Sequence, residues 1–267
     1  MRCPLCTTEN APAFKARLIS KYDVSYFSCG TCGFVHTQDP FWLSEVYREA
    51  YTDEDTGGLQ RNLHCARIVP SVILSFFDPR AKFLDFGGGH GVFARLMRDQ
   101  GFNFYWRDLH AKNLFCRGFE FVQESGAVEL VTCIECFEHF ARPLEEIEEM
   151  LAISSNIFFT TDLLPQPVPL PNQWYYYAPT HGQHVSFYSP KTLLYLAGRF
   201  GLNAYSDGTT THLFTRNKIS GSRFRRALRP GPLLRHRIRM AVKSWTKDDE
   251  ERVTARKKMG AREGLPS

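Results

Sequence analysis

The chain has 267 residues, 43% of them hydrophobic and 23% charged, values that exclude a fibrous or mainly disordered protein. No run approaches the ~18 apolar residues of a membrane-spanning helix, and no apolar segment follows Met1-Arg2-Cys3-Pro4 as in a secretory leader. The net charge of +5 is unevenly placed: residues 216–267 hold 16 basic against 5 acidic side chains, net +11, leaving net −6 on the rest.

Residues 1–40 contain two knuckles, Cys3-Pro4-Leu5-Cys6 and Cys29-Gly30-Thr31-Cys32. C-x-x-C spacing lets two thiolates of one tight turn bind one tetrahedral Zn²⁺, and two such pairs complete a structural site with no open position. The pattern predicts a small zinc ribbon held by Cys3, Cys6, Cys29 and Cys32, with Tyr22 to Phe27 as a return strand. Cys65, Cys116, Cys133 and Cys136 read as buried thiols, and unpaired thiols in this number predict a reducing, cytoplasmic setting.

Residues 41–80 predict a helical linker or lid: a short helix with aromatic anchors from Phe41 to Tyr51, then apolar residues at helical spacing from Arg61 to Phe77, interrupted at Pro70. Strands and helices then alternate through residues 81–217. Strands are expected at Lys82 to Phe86, Asn103 to Asp108, Phe119 to Val122, Val128 to Ile134 and Asn156 to Asp162, with helices at Val92 to Gln100 and Pro143 to Ala152. An insertion rich in proline and aromatics occupies 163–188. Ser189-Pro190 opens a helix to Phe200. Leu202 to Tyr205 and Thr210 to Arg216 flank the turn Ser206-Asp207-Gly208 and form an antiparallel edge. The alternation predicts an α/β, doubly wound, seven-stranded Rossmann-like sheet. Residues 218–267 form a basic C-terminal tail.

Phe83-Leu84-Asp85-Phe86-Gly87-Gly88-Gly89-His90-Gly91 ends the first of these strands. The pattern is D-x-G-x-G-x-G and fails the dinucleotide fingerprint, whose last small position would fall on Val92. Glycines let the backbone approach a ligand closely. An acid before the loop suits a cationic amino-acid end better than a pyrophosphate. Asp108 ends the next strand, placed for ribose hydroxyls. Together these point to S-adenosylmethionine.

At these residues the chain resembles class I S-adenosylmethionine-dependent methyltransferases, over roughly Phe41 to Arg216. A bacterial subgroup of them carries an N-terminal zinc ribbon. The resemblance implies that Gly87, Gly89 and Gly91 wrap the methionine end, that Asp108 holds the ribose, and that Glu124 or Gln123 meets the adenine. Asn113-Leu114-Phe115, Gly118-Phe119-Glu120, Gly182-Gln183-His184 and Phe187-Tyr188-Ser189 resemble bacterial methyltransferases associated with surface-glycan synthesis.

Glu135-Cys136-Phe137-Glu138-His139 leaves the fourth strand beside the expected methyl donor. Its E-x-x-E-H spacing resembles two metal-using methyltransferase groups, one acting on catechol-like quinone precursors and one on the 2′-hydroxyl at small-RNA 3′ ends. In the latter a downstream histidine completes the site, and His184 matches it. Glu135, Glu138, His139 and His184 would then hold Mg²⁺, Mn²⁺ or Zn²⁺. The alternative is that this strand end packs and caps the next helix, with His139 or His184 as general base. Trp174-Tyr175-Tyr176-Tyr177-Ala178-Pro179 offers aromatic faces for a sugar, a lid on the core, or both.

The expected activity is therefore methyl transfer, to a sugar hydroxyl of a glycan or a nucleotide- or lipid-linked intermediate. Alternatives are an RNA 2′-hydroxyl, a deoxysugar carbon, and a binding module on an inactive fold. In the tail, basic residues interleave with apolar ones from Pro232 to Trp245, which predicts a basic amphipathic helix on an anionic membrane surface; RNA is the rival partner and a solvated tail the third outcome.

Overall fold

The structure, a computed structural model, describes residues 1–47, 56–122, 126–231 and 242–262. Two sheets organise them. The larger has six strands in the order β5-β4-β6-β7-β10-β9, built from β4 (Lys82–Phe86), β5 (Asn103–Arg107), β6 (Val128–Ile134), β7 (Ile157–Thr160), β9 (Asn203–Ser206) and β10 (Thr211–Thr215). β5, β4, β6 and β7 run parallel, and β10 is antiparallel to both β7 and β9. Alternation along these strands sends Phe83, Phe104, Leu130, Phe158 and Leu213 into one core and Leu84, Val131, Phe159 and Phe214 into the other. The first core is covered by α2 (Gly58–Phe76), α3 (Val92–Asp99) and α6 (Gly221–Ala227), the second by α4 (Pro143–Ile153) and α5 (Pro190–Arg199). Burial on both faces is what a parallel sheet requires.

Among the described residues the sheet has six strands rather than the predicted seven. The strand expected at Phe119 to Val122 is reduced to one parallel bridge between Glu120 and Trp106, outside β5. Glu120 is drawn into the preceding turn, where it accepts from Asn113 Nδ2 at 2.7 Å and from the Gly118 N–H at 2.9 Å. That turn contains two of the phrases that carry the glycan-enzyme resemblance, and among the described residues their polar groups close the loop after β5.

The smaller sheet is antiparallel, in the order β1-β2-β3-β8: β1 (Ala11–Leu18), β2 (Tyr22–Ser28), β3 (Val35–Thr37) and β8 (Ser186–Phe187). Its fourth strand comes from the 163–188 insertion, so the N-terminal module and the insertion fold as one layer. Their shared core packs Tyr26, Trp42, Trp174, Tyr176, Tyr177 and Phe187. Most of the aromatic run is thus interior, and within it Tyr175 is the exposed ring.

Three further expectations are corrected. The first helix is short, α1 (Leu43–Val46), and 48–55 lie outside the described residues. Pro70 does not interrupt α2. Proline has no N–H to give to the carbonyl four residues back, and Gln100 Nε2 donates to that Ala66 oxygen instead at 2.9 Å. The basic tail is not a detached appendage. Phe224 and Ala227 of α6 are in the core, and α7 (Thr246–Arg262) docks through Asp249 onto buried Arg98, Oδ1 to Nη2 at 2.6 Å. The packed unit therefore extends past the boundary expected at residue 217. Most of the helix expected from Pro232 to Trp245 lies outside the described residues. No helix among them is long and apolar enough to cross a membrane.

Candidate active site

Strand ends of a parallel sheet leave a crevice where side chains and helix N-termini converge. Here β4, β5, β6 and β7 open into a cavity of ≈ 1350 Å³. Gly87, Gly89 and Asp108 line one end. Gly87, Gly89 and Gly91 have φ of +65°, +52° and +86°, a region that disfavours side chains. A β-carbon at Gly87 would lie 2.6 Å from Cys136 Sγ. Asp108 is tied to the loop: Oδ2 accepts the Gly89 N–H at 2.8 Å, and Oδ1 accepts the N–H groups of His110 and Ala111, each at 2.7 Å. Four acceptor positions on a carboxylate leave capacity on Oδ2 for a ligand hydroxyl.

Asp85 is placed differently from its expected contact with a ligand cation. It is 1% exposed, sits beneath the loop with Oδ2 2.7 Å from a β-carbon position at Gly88, and does not line the cavity. Oδ1 accepts from Thr132 Oγ1 at 3.0 Å, and Oδ2 has no partner among the described residues. Burial pushes its carboxyl up to about 7, against the opposing Thr132 hydrogen bond. Glu124 and Gln123, the adenine candidates, lie outside the described residues.

At the other end, the turn after β6 begins with Glu135 at φ +52°, a strained conformation for a residue with a side chain and a frequent mark of functional strand ends. Its N–H donates to Thr160 Oγ1 at 2.9 Å, and its carboxylate faces Arg61 Nε at 3.6 Å. Glu138, His139 and His184 come together, each offering a ligand atom within 4.8 Å of the others. Glu135 is not among them, a correction to the predicted four-residue set: its reversed backbone sends the carboxylate to α2.

Glu138 is fully buried and neither carboxylate oxygen has a hydrogen-bond partner among the described residues. Burial, then the charge of Glu135, raises it well above the carboxylate range. His184 Nδ1 lies 2.6 Å from the Tyr176 carbonyl oxygen, and His139 Nδ1 lies 2.7 Å from Tyr47 Oη. Burial, then His181, holds His139 down to about 3; burial, then His139, lowers His184 in the same way. Burial thus favours the neutral form of both imidazoles, the form that ligates metals.

Residues missed in the sequence complete the walls. Tyr47 and Arg61 reach in from the N-terminal side, and His181 packs against His184 with ring centroids 4.8 Å apart. Asp162 accepts from Thr210 Oγ1 at 2.8 Å and from the Tyr175 hydroxyl. His181, three residues before His184, was visible as a second imidazole in the same segment. Nothing local marked Tyr47 or Arg61, because their approach depends on tertiary packing.

Away from this cavity, the Cys3, Cys6, Cys29 and Cys32 sulfurs also lie within 4.8 Å of one another, with Cys3–Cys32 at 3.6 Å and Cys6–Cys29 at 3.4 Å. The Cys32 hydrogen bond pulls Cys3 down to about 5, while Cys32 is pushed up by Cys3.

Residues 59–207 match the family model described as a methyltransferase domain, more than half of the chain, and the chain belongs to that family. No curated protein matches it. Solved structures resemble it at low identity. One is the plantazolicin methyltransferase BpumL in complex with SAH, at 14% identity and TM-score 0.42, covering 64% of this chain and 94% of that one. Another is an O-methyltransferase family protein from Burkholderia thailandensis, at 16% and 0.43, covering 67% and 68%. A third is magnesium protoporphyrin IX methyltransferase (ChlM) from Synechocystis PCC 6803 with bound SAM, at 12% and 0.38, covering 66% and 90%.

Proposed function

We propose that the chain is an S-adenosylmethionine-dependent methyltransferase acting on a sugar hydroxyl of a glycan or of a nucleotide- or lipid-linked intermediate. The observation that carries this is a single cavity joining the Gly87, Gly89 and Asp108 end to the Glu138, His139, His184 and Asp162 end. S-adenosylmethionine, when bound, supplies an electrophilic sulfonium methyl. The loop glycines admit close backbone approach, and Asp108 Oδ2 accepts a ribose hydroxyl. Asp85 keeps the loop in shape from below.

On the acceptor side, Tyr175 offers an exposed ring face, and Asp162 with Thr210 offers hydrogen-bonding groups beside it. A ring face beside polar rim groups suits a pyranose. Glu138, His139 and His184 fit a divalent ion: a buried carboxylate lacking partners and two neutral imidazoles form an N,N,O donor set suited to Mn²⁺ or Zn²⁺ and, less well, to Mg²⁺. Such an ion, when bound, lowers the pKa of an attacking hydroxyl. The same convergence supports a second acceptor, an RNA 2′-hydroxyl, which steeply salt-dependent RNA binding would reveal.

The four cysteine sulfurs fit a structural Zn²⁺, since Zn–S bonds of ~2.3 Å place tetrahedral sulfurs just under ~4 Å apart. Peripheral contact with an anionic membrane surface belongs to the same reading. Its support is α6, which buries Phe224 and Ala227 and exposes Arg223, Arg225 and Arg226. Sedimentation with anionic vesicles tests it: the chain should pellet, and Arg225→Glu with Arg226→Glu should not.

Mass spectrometry of glycans and sugar nucleotides from cells with and without the gene tests the acceptor. One species should differ by the mass of a CH₂ group. A difference confined to RNA would replace the sugar with the 2′-hydroxyl.

A further inference from the structure

The N-terminal module and the acceptor end of the cavity hold each other's polar groups. Trp42 Nε1 donates to the Gly182 carbonyl at 2.8 Å, and Gln183 Nε2 donates to the Val46 carbonyl at 3.1 Å. The Thr37 N–H donates to the Val185 carbonyl at 3.0 Å, and the Val185 N–H donates to the Glu138 carbonyl at 2.8 Å. The segment carrying His181 and His184 is therefore clamped between the cysteine module and the turn after β6. The clamp ends in Tyr47, stacked on His110 with centroids 4.8 Å apart and planes 15° apart, and reaching His139 Nδ1 at 2.7 Å.

The two histidines pose the same tautomer question, and one is answered by chemistry alone. His184 Nδ1 faces the Tyr176 carbonyl at 2.6 Å. A carbonyl oxygen only accepts, so Nδ1 carries the proton and Nε2 the electron pair. His139 faces a hydroxyl, which can accept or donate. If the phenol donated into Nδ1, the Nε2 proton would point toward Glu138, whose Oε1 lies 3.9 Å from Nε2. If the phenol accepts, Nε2 presents an electron pair there instead.

We propose that Tyr47 is a positioning residue for His139: its hydroxyl oxygen accepts the Nδ1–H, leaving the His139 Nε2 electron pair toward the Glu138 carboxylate. The short helix α1, which Tyr47 ends, thereby supplies a supporting group to the ligand set at the acceptor end. Ligating histidines commonly donate their second N–H to such a partner, whose loss costs about 10–100-fold in metal affinity. This inference rests on the divalent-ion reading for its consequence, though the tautomer is a property of the protein by itself.

The experiment uses the full chain labelled with ¹⁵N-histidine and its Tyr47→Phe variant, which keeps the ring and removes the hydroxyl. Three readouts are taken: imidazole tautomers by ¹H–¹⁵N correlation, Mn²⁺ affinity by electron paramagnetic resonance, and S-adenosylmethionine affinity as a check on the fold. The wild type should show His139 as the Nδ1–H tautomer. Tyr47→Phe should show mixed tautomers at His139 alone, Mn²⁺ binding about 10–100-fold weaker, and unchanged S-adenosylmethionine affinity. An Nε2–H tautomer in the wild type would overturn the assignment. So would a Tyr47→Phe variant with unchanged tautomer and unchanged Mn²⁺ affinity. A wild type that loses its Nδ1–H tautomer in Tyr47→Phe yet never binds Mn²⁺ would support the positioning role and sink the ion reading.

Discussion

Asp108 and Asp85 bracket the glycine loop from opposite sides, and their surroundings assign them different work. Asp108 accepts three backbone N–H groups and keeps spare acceptor capacity facing the cavity. Asp108→Ala should weaken S-adenosylmethionine binding by about 1.5–3 kcal/mol, the value of a hydrogen bond to a charged group, as measured by titration calorimetry. Asp85 is buried under the loop, its carboxyl raised from the ordinary 3.8 to about 7. Between those values the folded chain binds more protons than the unfolded chain. Stability should therefore fall as pH rises from about 4 to about 7, by at most ~4 kcal/mol, and level off above. In thermal melts without cofactor, Asp85→Asn should flatten this pH dependence. An unchanged slope would show that Asp85 is not its source. The sequence marked both acids through the D-x-G-x-G-x-G pattern and the end of β5. Their division of labour was not legible, because burial of one strand-end acid and exposure of the next depends on what covers the loop.

At the scale of elements, most strands and helices of the methyltransferase domain stood out in the sequence through period-two and period-3.6 apolar patterns. The failures came where a distant group satisfied a local need. Pro70 reads as a break, yet α2 continues because the Gln100 amide takes the place of the missing N–H at the Ala66 carbonyl. Gln100→Leu should leave that partly buried carbonyl without its partner and cost about 1–3 kcal/mol. In a Pro70→Ala background, where the helix supplies its own N–H, the same change should cost less. Equal losses in both backgrounds, measured by denaturant unfolding as a double-mutant cycle, would contradict this account. Strand three is cut to a single bridge: the backbone around Glu120 pairs with Trp106, while its carboxylate ties back to Asn113 and Gly118 in the preceding turn.

Across the whole molecule, two terminal segments that read as attachments prove to be parts of the body. The N-terminal cysteine module completes its sheet with β8, which comes from the insertion after β7. Removing a thiolate-bound metal should therefore loosen residues 181–187 as well as 1–40, seen as faster amide exchange in both, while β4–β7 stay protected. The C-terminal helix α7 places Asp249 against Arg98 and Arg95. Arg98 is 0% exposed, and Asp249→Ala would leave that charge buried without its carboxylate. The expected cost is about 3–5 kcal/mol of stability, measured by denaturant unfolding. Composition alone showed only a basic run; that Asp249, with Trp245 and Thr246, ties it to the body depends on the fold.

The proposed function requires the glycine loop and Asp108 to hold S-adenosylmethionine at one end of the shared cavity. Titration calorimetry of the full chain with S-adenosylmethionine, beside the Gly87→Val variant, tests it most directly. A β-carbon at Gly87 would collide with Cys136 Sγ at 2.6 Å and would sit at a positive φ that side chains disfavour. The wild type should bind one S-adenosylmethionine per chain, and a folded Gly87→Val variant should show no binding heat. A wild type that binds none, or a variant that binds equally well, would contradict the claim.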